Sequence, residues 1–170
     1  AQGTALPCLR IRDWPAFRLR GFHMYLPGRK QFDFFRRFLD CLAAHKYNTI
    51  LLEISGGLEY ERHPEISAAW REFCRVAREY DPAKHNVETF KQRHPRGPNA
   101  LQGSRHYWKD STHTELAGGD CLTKDELRWV VEECGQRGFE VIPEMQSLSH
   151  SYWLCCAHPD IAERRDDPFP

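Results

Sequence analysis

The sequence has no surplus of either charge: 24 Lys and Arg stand against 24 Asp and Glu over 170 residues. Binding nucleic acid along a whole surface needs a basic excess, so the balance argues against that class and leaves only a local patch open. No stretch comes near the roughly 20 consecutive apolar residues that a membrane span requires. No C-x-x-C pair occurs among the seven cysteines (8, 41, 74, 121, 134, 155 and 156), so neither a zinc knuckle nor a thioredoxin-type site is expected. The cysteine count is odd and N-x-[ST] is absent, which reads as buried free thiols in a reducing, cytoplasmic compartment. A starting Met and a signal-peptide pattern are missing too. The chain begins Ala-Gln-Gly-Thr and closes Asp-Asp-Pro-Phe-Pro, and both ends read as cut from something longer. What is present is length enough for one domain with its own core.

Residues 7–17 mix Pro, Arg and the apolar Ile11, Trp14 and Phe17, and predict an extended lead-in. A short strand is expected over 19–25, carrying Arg20-Gly21. Residues 32–46 predict a helix, with Phe34, Phe35, Phe38, Leu39, Leu42 and Ala43 on one face and Asp33 near its positive end. Asn48 breaks it, and 49–54 is a continuous apolar run of strand length, as in a parallel sheet buried on both faces. Ser55-Gly56-Gly57 ends that strand. A second helix is expected over 65–80, with Ile66, Trp70, Phe73, Val76 and Ala77 inward.

Residues 81–120 are rich in Pro, Gly, His and Asn and read as an insertion. Between Lys84 and His113 lie six Lys or Arg, four His and two acids, with Tyr107 and Trp108 interleaved. That is a solvated loop with a basic bias, or a surface on which a sugar or base could stack. Its histidines lack the close i, i+4 spacing of a helical metal site, and no metal or other cofactor is expected. Order returns over 122–137, where Thr123-Lys-Asp-Glu126 is a capping box and Leu127, Val130, Val131 and Cys134 form the apolar face. Gly138 is placed to stop this helix.

Then comes the densest stretch, 138–150. Phe139, Val141 and Ile142 predict a buried strand that stops at Pro143. Glu144, Gln146, Ser147, Ser149 and His150 follow at once. Chemistry gathers at the carboxyl ends of parallel strands, and buried Glu and His are costly unless partnered, so this cluster points to a site. A short helix over 151–157 follows, stopped by His158-Pro159. Strand, helix, strand, excursion, helix, strand fits the first part of a TIM (β/α)8 barrel, or half of an open α/β sheet.

Several motifs resemble family 20 glycoside hydrolases, the β-N-acetylhexosaminidases. Asp13-Trp14-Pro15, Phe17 and Arg20-Gly21 are similar to that family's "D-x-P-x-F-x-x-R-G" start of the barrel. Lys46-Tyr47-Asn48 resembles its "K-x-N" join, and Thr123 to Glu126 with Arg137 to Glu144 resembles its "T-x-x-E … R-G-[IF]-x-V-[IV]-P-E" segment. His150 falls where the family has the His of "P-G-H". Gln146 stands where the common family has Asp, Leu148-Ser149 replaces "P-G", and Ser55-Gly56 replaces an acidic pair. Gln at that position looks more like the hexosaminidase-D-like branch.

The resemblance implies a lead-in over 1–17 and a partial catalytic barrel over 18–170, with the insertion at about 56–120. It implies that Arg20, Glu53, Glu144, Gln146 and His150 line a pocket for a terminal N-acetylhexosamine. It further implies substrate-assisted retaining hydrolysis, in which the 2-acetamido oxygen attacks the anomeric carbon. The family's Asp-Glu pair ends a fourth strand; Asp125-Glu126 opens a helix and Asp166-Asp167 lies in the tail. The acid/base Glu and the orienting Asp are therefore expected beyond Pro170, and the rest of the barrel or a partner chain is needed to cover the sheet edge. Two alternatives stay open: a carbohydrate-binding pseudo-enzyme or scaffold of the same fold, and a different glycosidase barrel using Glu144 as its carboxylate.

Overall fold

The computed structural model describes residues 8, 10, 12–79, 120–147 and 151–161. Tyr107, Trp108 and the four histidines between Lys84 and His113, together with Leu148, Ser149 and His150, lie outside the described residues.

The element order is β1 (Gly21–Tyr25), α1 (Phe32–Ala44), β2 (Thr49–Glu53), α2 (Pro64–Glu79), α3 (Lys124–Gln136), β3 (Glu140–Glu144) and α4 (Tyr152–Cys155). The strands form one parallel sheet in the order β1-β2-β3. Mixed helix and parallel strand make this an α/β fold. Residues 12–17 belong to no helix or strand.

Register fixes which side chains share a face. Phe22, Met24, Ile50, Leu52 and Val141 turn to the side covered by α1 and α3, where they pack with Phe35, Leu39, Leu42, Val130 and Cys134. Alternation then puts His23, Tyr25, Leu51, Glu53, Ile142 and Glu144 on the opposite face. Burial of β2 runs along nearly its whole length, as expected for the middle strand. A second core lies past the end of β2, where Trp70 and Phe73 of α2 pack with Cys121, Trp153 and Cys156. Five cysteines are buried free thiols, while Cys8 and Cys41 are exposed.

Two readings of the apolar faces change. Phe34 is 60% exposed, because α1 buries a narrower stripe centred on Phe35, Leu39 and Leu42. Val131 is likewise exposed on α3. The strand expected to be buried and to stop at Pro143 continues to Glu144, and its Glu140, Ile142 and Pro143 are exposed because β3 is an edge strand among the described residues. The Glu140 amide donates to the Asn48 carbonyl and the Ile54 amide donates to the Glu144 carbonyl, so even-numbered residues bond to β2. Pro143, which has no amide hydrogen, therefore faces away from β2 and costs that ladder nothing.

Both long crossover helices end in the same motif. The Tyr47 amide returns to the Leu42 carbonyl and the Lys46 amide to Ala43; the Phe139 amide returns to Cys134 and Gly138 to Gly135. The left-handed position is Gly138 (φ 78°) in one and Lys46 (φ 65°) in the other.

The capping box of α3 forms: the Glu126 amide donates to Thr123 Oγ1 at 3.3 Å, and the Thr123 amide donates to Glu126 Oε2 at 2.7 Å. Arg29, in the loop after β1, also binds both Glu126 oxygens, Asp120 and the Cys121 carbonyl. This joins the end of β1 to the start of α3. Hydrogen bonding to Arg29 holds the Glu126 carboxyl below the usual carboxylate range. A depressed folded value stabilises above the unfolded pKa and loses that stability as pH falls through the folded one. Glu126→Gln, which keeps the cap but not the charge, is expected to cost about 1 kcal/mol at pH 7. The difference from wild type should close below about pH 4. Urea titrations of both proteins at several pH values measure it.

Candidate functional site

One polar cluster sits at the carboxyl ends of the three strands. Tyr25, Glu53 and Glu144 are level in the register, and His23 lies two residues back on the same face. The imidazole leans between the acids: His23 Nε2 is 3.1 Å from Glu144 Oε2 and 3.6 Å from Glu53 Oε2. Each carboxylate has its other oxygen held by a neighbour. The Ser55 hydroxyl donates to Glu53 Oε1 at 3.1 Å, and the Gln146 amide donates to Glu144 Oε1 at 2.9 Å.

Burial is graded across the cluster. Glu53, on the central strand, is only 3% exposed, against 29% for Glu144 and 44% for His23. One acid is thus fixed in the protein while the other two groups reach solvent. Ser55 holds a positive φ of 34°, an uncommon conformation for a residue other than glycine, directly after the strand. The Tyr60 hydroxyl donates to the Ser55 carbonyl at 2.7 Å, and its ring stacks on Trp153 at 5.4 Å. Burial pushes the Tyr60 phenol well above its ordinary range, so it stays a neutral donor. The loop after β3 is tied back where the Ser151 hydroxyl donates to the Gln146 carbonyl at 3.2 Å.

Of the residues named from sequence, Glu53, Glu144 and Gln146 come together here. His150 lies outside the described residues, beside Ser151. Arg20 is elsewhere. It precedes β1, its own carbonyl accepts from the Asn48 amide, and it stands roughly 16 Å of strand rise from the level of Glu53. Its guanidinium donates to the carbonyls of Phe17, Arg18 and Lys46. These bonds brace the lead-in at the amino end of the sheet, and Asn48 supports the same join through Arg18.

Sequence reasoning passed over His23 and Tyr60, and noted Ser55 without its bond to Glu53. His23 had a signal. Once Phe22 and Met24 are assigned to the helix-covered face, period-2 alternation sends His23 to the other. Ser55 and Tyr60 had none, since their roles depend on a backbone turn and a packed ring.

The arrangement offers two carboxylates, an imidazole and an amide within one small area. It can accept hydrogen bonds from hydroxyl groups or hold a cation: ligand atoms of His23, Glu53 and Glu144 lie within 4.8 Å of one another. Among the described residues no helix is long and apolar enough to cross a membrane. Compared with protein-family models and with curated proteins, the chain matches none.

Proposed function

We propose that this chain forms one wall of the sugar pocket in a (β/α)8-barrel glycoside hydrolase that removes terminal β-linked N-acetylhexosamine. The observation that carries the reading is the cluster of Glu53, Glu144 and Gln146 at the carboxyl ends of parallel strands, on the face opposite α1 and α3. In a barrel that face is the interior, and its carboxyl end is where substrates bind. The resemblance in the sequence supplies the activity and the sugar; the geometry supports a polar pocket wall.

Two further features favour a wall over a complete two-carboxylate centre. A nucleophile and an acid must flank the anomeric carbon, yet His23 fills the space between Glu53 and Glu144. Substrate assistance needs no such pair within this chain. Asp125-Glu126 is not free to serve either, since Glu126 caps α3 and binds Arg29. The acid/base Glu and the orienting Asp belong, on this reading, to sequence outside the chain. An apolar groove of about 350 Å³ beside β1, lined by Phe22, Met24, Phe34 and Phe38, fits the packing of further barrel elements or a partner.

Hydrolysis of a chromogenic β-N-acetylglucosaminide by the gene product carrying this chain is the test. Turnover blocked by a thiazoline mimic of the acetamido intermediate is expected. Glu144→Gln should lower kcat/KM roughly 10- to 100-fold, the size of one or two charged hydrogen bonds. A folded protein with no turnover would favour the carbohydrate-binding scaffold. Turnover indifferent to the thiazoline would point to a different glycosidase.

A further inference from the structure

We infer that His23, Glu53 and Glu144 form a binding site for a divalent transition-metal cation. This goes beyond the glycosidase reading, which uses no metal. The donors come from three strands, so their spacing is set by the sheet ladder and not by flexible loops. Ligands about 2.0–2.2 Å from a tetrahedral Zn²⁺ stand roughly 3.3–3.6 Å apart. The two separations from His23 Nε2, 3.1 Å and 3.6 Å, bracket that edge within a few tenths of an ångström. All three ligand atoms lie within 4.8 Å of one another, so small side-chain shifts close the third edge.

Donor type and charge agree. One imidazole nitrogen and two carboxylate oxygens suit Zn²⁺ and its first-row neighbours better than Ca²⁺, which takes six or more oxygens. Two carboxylates bring negative charge that a dication offsets, and Glu53 is 97% removed from solvent while remaining close to Glu144. The outer groups are also in place. Ser55 holds Glu53 Oε1 and Gln146 holds Glu144 Oε1, which leaves the Oε2 atoms turned to His23. Ligating carboxylates are commonly oriented in this way. Access is open from the side of His23 and Glu144, both partly exposed. Three protein ligands leave a fourth position for water or a substrate oxygen.

Calorimetric titration of ZnCl₂ into the metal-stripped chain tests the site. One equivalent is expected to bind, with affinity falling at least 10-fold in His23→Ala and in Glu144→Gln. Both altered side chains are partly exposed, and circular dichroism checks that each variant stays folded. Cys41 lies 3.8 Å from the His45 ring and is exposed, so Cys41→Ser is the control and should bind as wild type does. Absence of binding, or binding that survives both cluster substitutions, or binding lost only in Cys41→Ser, would overturn the site. The hydrolysis assay run on metal-stripped protein is independent: turnover there upholds the glycosidase reading whichever way the titration falls.

Discussion

Gly56→Ala will destabilise the protein by about 2–3 kcal/mol, at the upper end of what overpacking a core costs. A Cβ on Gly56 would stand 2.7 Å from Trp70 Nε1, 2.8 Å from Trp70 Cε2 and 2.9 Å from the Trp153 Cβ. Trp70 is 2% exposed and stacks on Phe73, so its ring has nowhere to retreat. Trp153 is held by Tyr60 on one face. The Gly56 carbonyl also accepts from the Cys121 thiol at 3.3 Å, which pins the backbone from the other side. Relief must therefore come from moving α2 or α4 as a body. Urea denaturation should show a lower midpoint with an unchanged slope. A change below about 0.5 kcal/mol would mean that the two indoles do not confine Gly56 in solution.

The same geometry separates substitution at Ser55 from substitution at Gly56. Gly56→Asp meets the same wall with a charge added, and should be worse than Ala. Ser55→Asp differs. Ser55 already holds a left-handed backbone, which Asp tolerates better than most residues, and its side chain faces Glu53. The cost at 55 is like-charge repulsion; the cost at 56 is space. Gly56 is thus built into the packing of the second core, where a side chain has no room.

Strands and helices were legible where hydrophobic period and end signals agreed. Thr123 and Glu126 marked the start of α3, and Gly138 its end, because each residue type has one dominant reason to stand there. The end of α1 was legible only from the break at Asn48. Lys46 takes the left-handed position that Gly138 takes after α3, and a lysine carries no such signal. Phe34 misled because a run of aromatics widens the apparent apolar face beyond what α1 buries. Of the two carboxylates, Glu53 was named only through the resemblance, and Glu144 was legible from its position at a strand end. Their connection was not, since it runs through His23, a histidine flanked by Phe22 and Met24 and distant in sequence from both acids. The bonds of Arg20 were not legible either, since three backbone carbonyls at the amino end of the sheet accept from its guanidinium and only the fold brings the Lys46 carbonyl to it.

Glu53→Leu should separate function from stability most cleanly. A carboxylate 3% exposed on the central strand is an expensive residue to fold around, and β2 is otherwise lined with Thr, Ile and Leu. Removing one member of a buried pair usually destabilises because the other is left buried and unpaired. Of its partners, the facing His23 is 44% exposed and regains water, and the Ser55 hydroxyl loses one hydrogen bond of about 1 kcal/mol. Relieved desolvation and added apolar contact act against these losses. The expected outcome is an unfolding free energy within about 1 kcal/mol of wild type, with Zn²⁺ affinity down at least 10-fold and the proposed glycoside hydrolysis lost. Such a split marks a residue kept for what it binds, because natural sites hold groups that stability alone would discard. A loss of more than 1 kcal/mol with binding intact would instead make Glu53 a structural brace for the end of β2, and the functional weight of the cluster would shift to His23 and Glu144.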